Sequence, residues 1–340
     1  MDSAKRSKAL LIISTLLLGS ILGFYWQAIV AWVASPSPPH QKLTLAVTTY
    51  PGSGLAYLAA ARGYFTEEGL DVTLLPYTSG RDALNATIER RADLGTVADL
   101  PVMYATMRGQ PVSIVATIFT AGRAYGVIAN RDREISSLKD MKGKVVGVTM
   151  RTDGHFVLST MLARHRLALN QVRVENVPPE EMKAALQSGK VDAVATWEPW
   201  LSAANNALGD KGVEFRTDGG FVLDYNLAGS TEWVVANPDK IQRLLRALLR
   251  AKRFFDEKPK EAQAMIVGLM RIDPSTFDTV GPNYRFVVQL DQNLLIMLED
   301  QASWAIQNKF SVQTAIPNFL SAINMDALTA VQPEAVKIVR

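Results

Sequence analysis

The chain has 340 residues, which at roughly 150 residues per domain predicts about two domains with a sizeable core. A composition of 48% hydrophobic and 20% charged residues, with 22 Gly, 16 Pro, no Cys and three His (His40, His155, His165), excludes a disordered or collagen-like chain, disulfides, thiolate chemistry and a His-rich metal cage. Of the formal charge of +3, +2 lies in the first eight residues, where Lys5, Arg6 and Lys8 outweigh Asp2, so the remainder, at only +1, holds no basic domain for nucleic acid.

From Ala9 to Ala34 no charged residue occurs. A helix of that length reaches roughly 39 Å, enough to cross a hydrocarbon layer of ~30 Å. Trp26 and Trp32 lie near its far end, where aromatic rings suit the membrane interface, and the preceding basic residues keep the start cytoplasmic and export everything after Ala34. A cleaved signal peptide is the competing reading, but its apolar core is only about 7 to 15 residues, and cleavage after Ala34 or Ala28 would place bulky Trp32 or Trp26 in a small-residue position. A retained inner-membrane anchor is therefore expected, with a free periplasmic protein as the outcome if the chain is cut near Ala34. Ser35-Pro36-Ser37-Pro38-Pro39 follows as a stiff spacer, so residues 1–40 form anchor and linker and the folded part starts near Gln41.

Apolar runs of strand length then alternate with helix-period stretches to about Phe215, the pattern of a layered α/β protein. Leu43 to Thr49 reads as a buried strand and Gly54 to Tyr64 as a helix ending before Gly69. Leu70 to Leu75 reads as a strand, Asp82 to Arg91 as a helix and Val112 to Thr120 as a strand. Beyond Lys240 the pattern is mainly helical, and Ile241 to Phe255 sets leucines on one face and arginines on the other.

The chain also resembles itself at an offset of about 100 residues. LAVTTYP (Leu45 to Pro51) is similar to VGVTMRT (Val146 to Thr152), and RADLGTVADLP (Arg91 to Pro101) to KVDAVATWEPW (Lys190 to Trp200), which aligns Asp93 with Asp192, Ala98 with Trp197 and Asp99 with Glu198. Two copies in the same order predict two α/β lobes of like topology rather than a solenoid, which needs at least about three stacked units. Ligands of open α/β sheets bind beyond the carboxyl ends of the strands. Those ends are Tyr50, Tyr77 to Gly80, Val97 to Asp99, Thr149 to Asp153 and Thr196 to Glu198.

These loops carry a family resemblance. Gly63 to Val72 (GYFTEEGLDV), the Ser79-Gly80 turn, the G-x-x-D step of Gly189 to Ala193, the Trp197-Glu198-Pro199 turn and LKDMKGKVVGV (Leu138 to Val148) resemble the substrate-binding proteins of nitrate, sulfonate and taurine ABC importers, a family that also includes binders of thiamine pyrimidine precursors. The resemblance runs from about Lys42 to Lys252. It implies a two-lobed periplasmic-binding-protein fold of type II with a hinge, behind an N-terminal transmembrane helix. Lobe 1 is expected over 41–121 plus 221–340 and lobe 2 over 122–220, with crossings near Gly122 to Gly126 and Gly219 to Tyr225. The implied partners are a small-molecule ligand, an ABC permease with its ATPase, and the inner membrane through the first helix. No nucleic acid, metal or cofactor is implied, and a monomer is expected.

Each candidate site residue has a functional and a plain reading. Tyr50 could lay its ring along a ligand or pack on Pro51. Ser79 and Gly80 offer free N–H groups to an oxyanion or form an ordinary N-cap, and both can hold. Arg81 could add a positive charge at that oxyanion site, but reads more readily as a solvated surface arginine. Thr149, Arg151 and Thr152 open the second-lobe helix with two hydroxyls and a planar fork suited to carboxylate, sulfonate or phosphate, while Asp153 caps that helix or pairs with Arg151. His155, one turn in, reads as a helix-surface residue. Trp197 can stack on a ring or hold an ammonium that Glu198 neutralises, or it can be a core tryptophan before a helix-starting proline. Asp99 shares that ambiguity, and Trp200 reads as packing. An anionic head group suits Arg151, and a cationic or ring-bearing part suits Trp197, Glu198 and Asp99. A zwitterionic sulfonate or an aminopyrimidine answers both.

Other classes leave weaker traces. The family's eukaryotic pyrimidine-precursor synthases depend on a Cys-containing segment and histidine chemistry, and this chain has neither in the matched loops, so no enzyme is expected. Gly52-x-Gly54 lacks the third glycine of a dinucleotide fingerprint at Tyr57. A membrane-tethered sensor would have only eight residues before the apolar run and would need a separate partner.

Overall fold

The structure is a computed structural model that describes residues 40–217, 222–274, 277–278 and 281–339. The run Ala9 to Ala34, and with it the expected anchor, lies outside the described residues. Among those described, no helix is long and apolar enough to cross a membrane.

Two sheets organise the chain. The first holds β1 (Gln41–Thr48), β2 (Leu70–Tyr77), β3 (Leu94–Ala98), β4 (Val112–Ala121), β10 (Leu223–Ser230) and β11 (Tyr284–Gln289) in the order β11-β4-β10-β3-β1-β2. The second holds β5 (Tyr125–Asn130), β6 (Val145–Val148), β7 (Arg173–Asn176), β8 (Ala193–Trp197) and β9 (Gly212–Arg216) in the order β7-β6-β8-β5-β9. This is the expected two-lobed α/β architecture. β1 pairs in parallel with β2 and β3, and β6 does the same with β7 and β8. An antiparallel strand then closes each trio, β10 against β3 and β5 against β8. The offset similarity in sequence is this repeated unit. β3, β4 and β8 are buried almost throughout, which is why they read as continuous apolar runs rather than alternating ones.

The helices cover the sheets: α1 (Gly54–Ala61), α2 (Tyr64–Glu67), α3 (Gly80–Ile88) and α4 (Asp99–Met107) in the first half, then α5 (Asp153–Arg164), α6 (Met182–Gln187) and α7 (Trp200–Leu208) in the second lobe. α8 (Thr231–Ala236), α9 (Pro238–Glu257), α10 (Pro259–Met270), α11 (Gln292–Gln307) and α12 (Asp326–Val331) follow. The helix expected over Gly54 to Tyr64 stops at Ala61, because Gly63 takes φ +72° and restarts the chain as α2. α3 begins two residues earlier than expected, since Ser79 Oγ accepts from the Asp82 N–H at 3.2 Å and so caps the helix ahead of Gly80. α9 buries Ile241, Leu244, Leu245 and Leu248, while Arg246 on its other face meets Glu68 at 2.7 Å.

The chain passes between the sheets twice. β4 ends at Ala121 and β5 starts at Tyr125, and β9 ends at Arg216 before β10 starts at Leu223. The expected second crossing falls partly on residues 218–221, outside the described residues.

Candidate ligand-binding cleft

The carboxyl ends of β1, β3 and β8 and the first residues of α3 and α5 converge where the two sheets face one another. Thr48, Tyr50, Ser79, Gly80, Arg81, Ala98, Pro101 and Tyr225 line this cleft from the first sheet's side, and Tyr125, Thr152, Asp153 and Trp197 from the second. About 20 Å³ remains between them, close to one water-sized sphere, so a solute of several heavy atoms enters only if the lobes part.

Four aromatic rings form the wall. Tyr50 meets Tyr225 at 5.0 Å and Tyr125 at 6.4 Å between centroids, and Tyr125 meets Trp197 at 6.3 Å. Tyr225 is fixed by its hydroxyl, 2.5 Å from Thr48 Oγ1, and a hydroxyl relay continues from Thr48 to Ser53 at 3.0 Å and on to Thr96 at 2.8 Å. Burial, and secondarily nearby phenol and carboxyl charges, hold the Tyr50 and Tyr125 hydroxyls well above the ordinary phenol range, so both remain protonated donors.

Asp153 joins the lobes. Its Oδ1 accepts from the Leu100 N–H of α4 at 3.3 Å and from Gln301 Nε2 of α11 at 3.4 Å, both on the opposite lobe. Burial pushes its carboxyl up to about 7, against the pull of the Leu100 and its own N–H groups and of Gln301. A further bond between the lobes runs from Arg81 Nη1 to the Met150 carbonyl at 2.9 Å.

Of the residues singled out from sequence, Tyr50, Ser79, Gly80, Thr152 and Trp197 line the cleft, and Asp99, Thr149, Arg151 and Glu198 do not. Asp99 is fully buried in its own lobe, where its carboxylate accepts from Asn226 Nδ2 at 2.7 Å and the Asp224 N–H at 3.1 Å. Burial raises its carboxyl well above the ordinary range, reinforced by Asp224 and Asp153. Thr149 turns inward to the Val177 carbonyl at 2.8 Å. Glu198 is not free for an ammonium: Arg216 Nη2 donates to it at 2.8 Å and the Ser202 N–H at 3.1 Å. Arg151 is exposed at φ +62° beside the cleft rather than within it, and it is not the partner of Asp153. His155 is not a surface residue: at 1% exposure it packs on Trp304 and Phe310 of the other lobe, at 5.2 and 4.8 Å.

The family model described as NMT1/THI5 like matches residues 51–262. The chain belongs to the NMT1/THI5-like family. This family member is 23% identical to the taurine-binding periplasmic protein of Escherichia coli (strain K12) over 226 residues, which is 64% of this chain and 68% of that protein. Its fold matches the alkanesulfonate-binding protein SsuA from Xanthomonas axonopodis pv. citri bound to MOPS with a TM-score of 0.73 at 16% identity, covering 85% of this chain and 100% of the other. It also matches the ligand-binding component of an ABC-type import system from Staphylococcus aureus with TM-score 0.70 at 12% identity, covering 86% and 99%. An enzyme shares the fold too: the desulfurization enzyme DSZB matches with TM-score 0.64 at 16% identity, covering 87% and 99%.

In this member of the NMT1/THI5-like family, the cleft-lining residues include Thr48, Tyr125 and Tyr225, which the sequence did not single out, and Arg81 and Asp153, which it read as a surface arginine and as a helix cap or partner of Arg151. Tyr125 and Tyr225 lie at the two crossings between sheets, and that location was the available signal. Arg81 is the second residue of α3 and Asp153 the first of α5, helices whose starts were already marked by Ser79-Gly80 and Thr152.

Proposed function

We propose that this chain is the substrate-binding component of an ABC importer on the periplasmic side of the inner membrane, closing two lobes on a small zwitterionic solute of the aminosulfonate class. The family, and the import and periplasmic binding roles of its relatives, support the importer role. One observation carries the ligand class: among the described residues, one acid, Asp153, and one base, Arg81, line the same aromatic cleft, with the α3 start at Ser79-Gly80 beside the base. The Gly80 N–H and Arg81 suit the sulfonate, which favours a helix N-terminus. The tyrosine and tryptophan faces with Asp153 suit the ammonium. Such a solute touches both lobes and therefore binds the closed form better than the open one, which is the physical requirement for ligand-driven closure. Lobe 1 is residues 41–121 plus 221–340 and lobe 2 residues 122–220 in this reading, with an N-terminal anchor tethering a monomer near the permease and its ATPase. The role is capture and release, with no chemistry on the solute.

An aminopyrimidine precursor is the second reading, favoured by the same rings and by an Asp153 carboxyl that can donate or accept. Calorimetric titration decides between them. Taurine should bind at least about tenfold more tightly than ethanesulfonate, the difference expected for one charge-assisted contact. Equal affinity for the two, or binding of an aminopyrimidine alone, would refute the aminosulfonate reading, and silence with every probe would refute the binding role.

A further inference from the structure

Beside the cleft lies a second recess of about 320 Å³, within the size range of small-ligand sites. Its walls include Arg81, Asp82 and Asn85 from α3, Tyr104 and Arg108 from the end of α4, and Arg151 from the other lobe. Three guanidinium groups thus face one carboxylate. That carboxylate is already engaged, with Asp82 accepting from Ser79 Oγ at 2.6 Å and lying 3.4 Å from Arg81. Arg108 donates only to the neutral Gln110 side chain at 2.9 Å, and Arg151 has no hydrogen bond or ion pair among the described residues. At the wall, Tyr104 is 4% exposed and its hydroxyl has no hydrogen-bond partner. A buried hydroxyl left unpaired is costly, and such groups ordinarily find a partner. The two free cations also feel each other: burial lowers the Arg108 guanidinium and the Arg151 charge lowers it further. An anion seated between them would relieve that repulsion, give the Tyr104 hydroxyl an acceptor and meet two planar forks that match tetrahedral oxyanions.

We propose that this recess binds a tetrahedral oxyanion of the phosphate or sulfate class, held by Arg108 and the Tyr104 hydroxyl from one lobe and by Arg151 from the other. Because the contacts come from both lobes, the bound anion favours the closed arrangement independently of the aromatic cleft, and the proposal does not rest on the aminosulfonate reading. The anion has two possible sources: a free inorganic ion, or the charged tail of an organic solute whose other end reaches the cleft, since Arg81 and Pro101 line both spaces.

The test is a titration of the full, nitrogen-labelled chain with inorganic phosphate, following the arginine Nε–H and tryptophan indole resonances. Saturable shifts of the Arg108 and Arg151 signals, with a dissociation constant of about 1 mM or tighter, are expected. The double variant Arg108→Gln/Arg151→Gln should weaken phosphate binding by about tenfold or more, and Arg151, being exposed, tolerates the change without loss of fold. Tyr104→Phe should bind phosphate several-fold more weakly while unfolding no more easily in its absence, a pairing that a purely structural tyrosine would not show. A parallel titration with 2-aminoethyl phosphate identifies the source: co-saturating shifts at Arg151 and the Trp197 indole mark one solute spanning both spaces, and shifts at the arginines alone mark a free ion. The proposal is overturned if phosphate does not saturate, if the double variant binds as the parent does, or if phosphate moves the Trp197 indole while leaving the arginines unmoved.

Discussion

Asp93 and Asp192 make the same reciprocal bond in the two lobes. Asp93 Oδ2 accepts from the Thr44 N–H at 2.7 Å while its own N–H donates to the Thr44 carbonyl at 2.9 Å. Asp192 Oδ2 accepts from the Val145 N–H and its N–H donates to the Val145 carbonyl, both at 2.8 Å. Each clasp ties the entry of a third strand to the first strand of its parallel trio, at Thr44 within β1 and at Val145 where β6 begins, and so sets the register of that pair. A carboxylate bonded to a backbone donor contributes about 1.5–3 kcal/mol, so Asp93→Ala and Asp192→Ala should each lower unfolding free energy by about that much. Denaturant titration checks this, and a loss under about 0.5 kcal/mol for either would show the clasp to be incidental.

What could be read from the chain was what depends on local pattern. The buried strands, the offset repeat and the Ser79 cap are all written in consecutive residues, and the Asp93–Asp192 correspondence is visible as an alignment of two short words. What a side chain does at a strand end is decided by its neighbours across the fold. Asp99 looked like a lobe-one counterpart of Glu198, yet Asn226, 127 residues away, claims it. His155 looked exposed because α11, which supplies Trp304, lies about 150 positions on. Tyr125 and Tyr225 escaped because the rule of strand carboxyl ends points to parallel strands, whereas these rings come from the antiparallel strand that closes each trio.

Asp153 makes lobe closure sensitive to pH. In the closed arrangement its carboxyl is raised to about 7 by burial, whereas in an open cleft it returns toward the ordinary value near 3.9. Closing therefore takes up a proton between those values. The contribution to closure is complete below about pH 4 and is lost as pH rises through about 7. Below about pH 6.5 His155, buried on the same seam and pulled down to about 4, opposes this contribution, so distance measurements between fluorophores on the two lobes should show opening of the ligand-free chain chiefly as pH rises from about 6.5 to about 8, and Asp153→Asn should flatten the profile in that range. An unchanged profile in that variant would remove Asp153 from the account.

His155 acts with the opposite sign. Both ring nitrogens are buried without a partner against Trp304 and Phe310, and burial pulls the imidazole down to about 4. A depressed histidine leaves the folded state binding fewer protons than the unfolded one, so stability falls as pH drops from about 6.5 toward 4, by roughly 3 kcal/mol in all. His155→Leu removes both the proton site and two unpaired polar atoms. It should match or exceed the parent in thermal stability at neutral pH and keep an advantage of about 2 kcal/mol near pH 4.5. Parallel acid sensitivity in parent and variant would show that other groups set the acid limit.

Glu198 separates a structural role from a ligand role, because its neighbour Trp197 lines the cleft and it does not. Its side chain is fully buried and Arg216 is nearly so, the two meet at 2.8 Å, and Glu214 flanks the same guanidinium. Removing one member of a buried pair leaves an uncompensated charge, at a cost of about 3–5 kcal/mol. Arg216→Met should therefore lower unfolding free energy by about 3 kcal/mol, and Glu198→Gln by less, since the amide still accepts from the Ser202 N–H. Trp197→Ala should weaken solute binding by about tenfold or more, the effect of losing a buried aromatic contact surface, whereas Glu198→Gln should leave the ratio of taurine to ethanesulfonate affinity unchanged. A collapse of that ratio in Glu198→Gln, with stability intact, would put the ammonium at Glu198 and displace Asp153 from the role given to it.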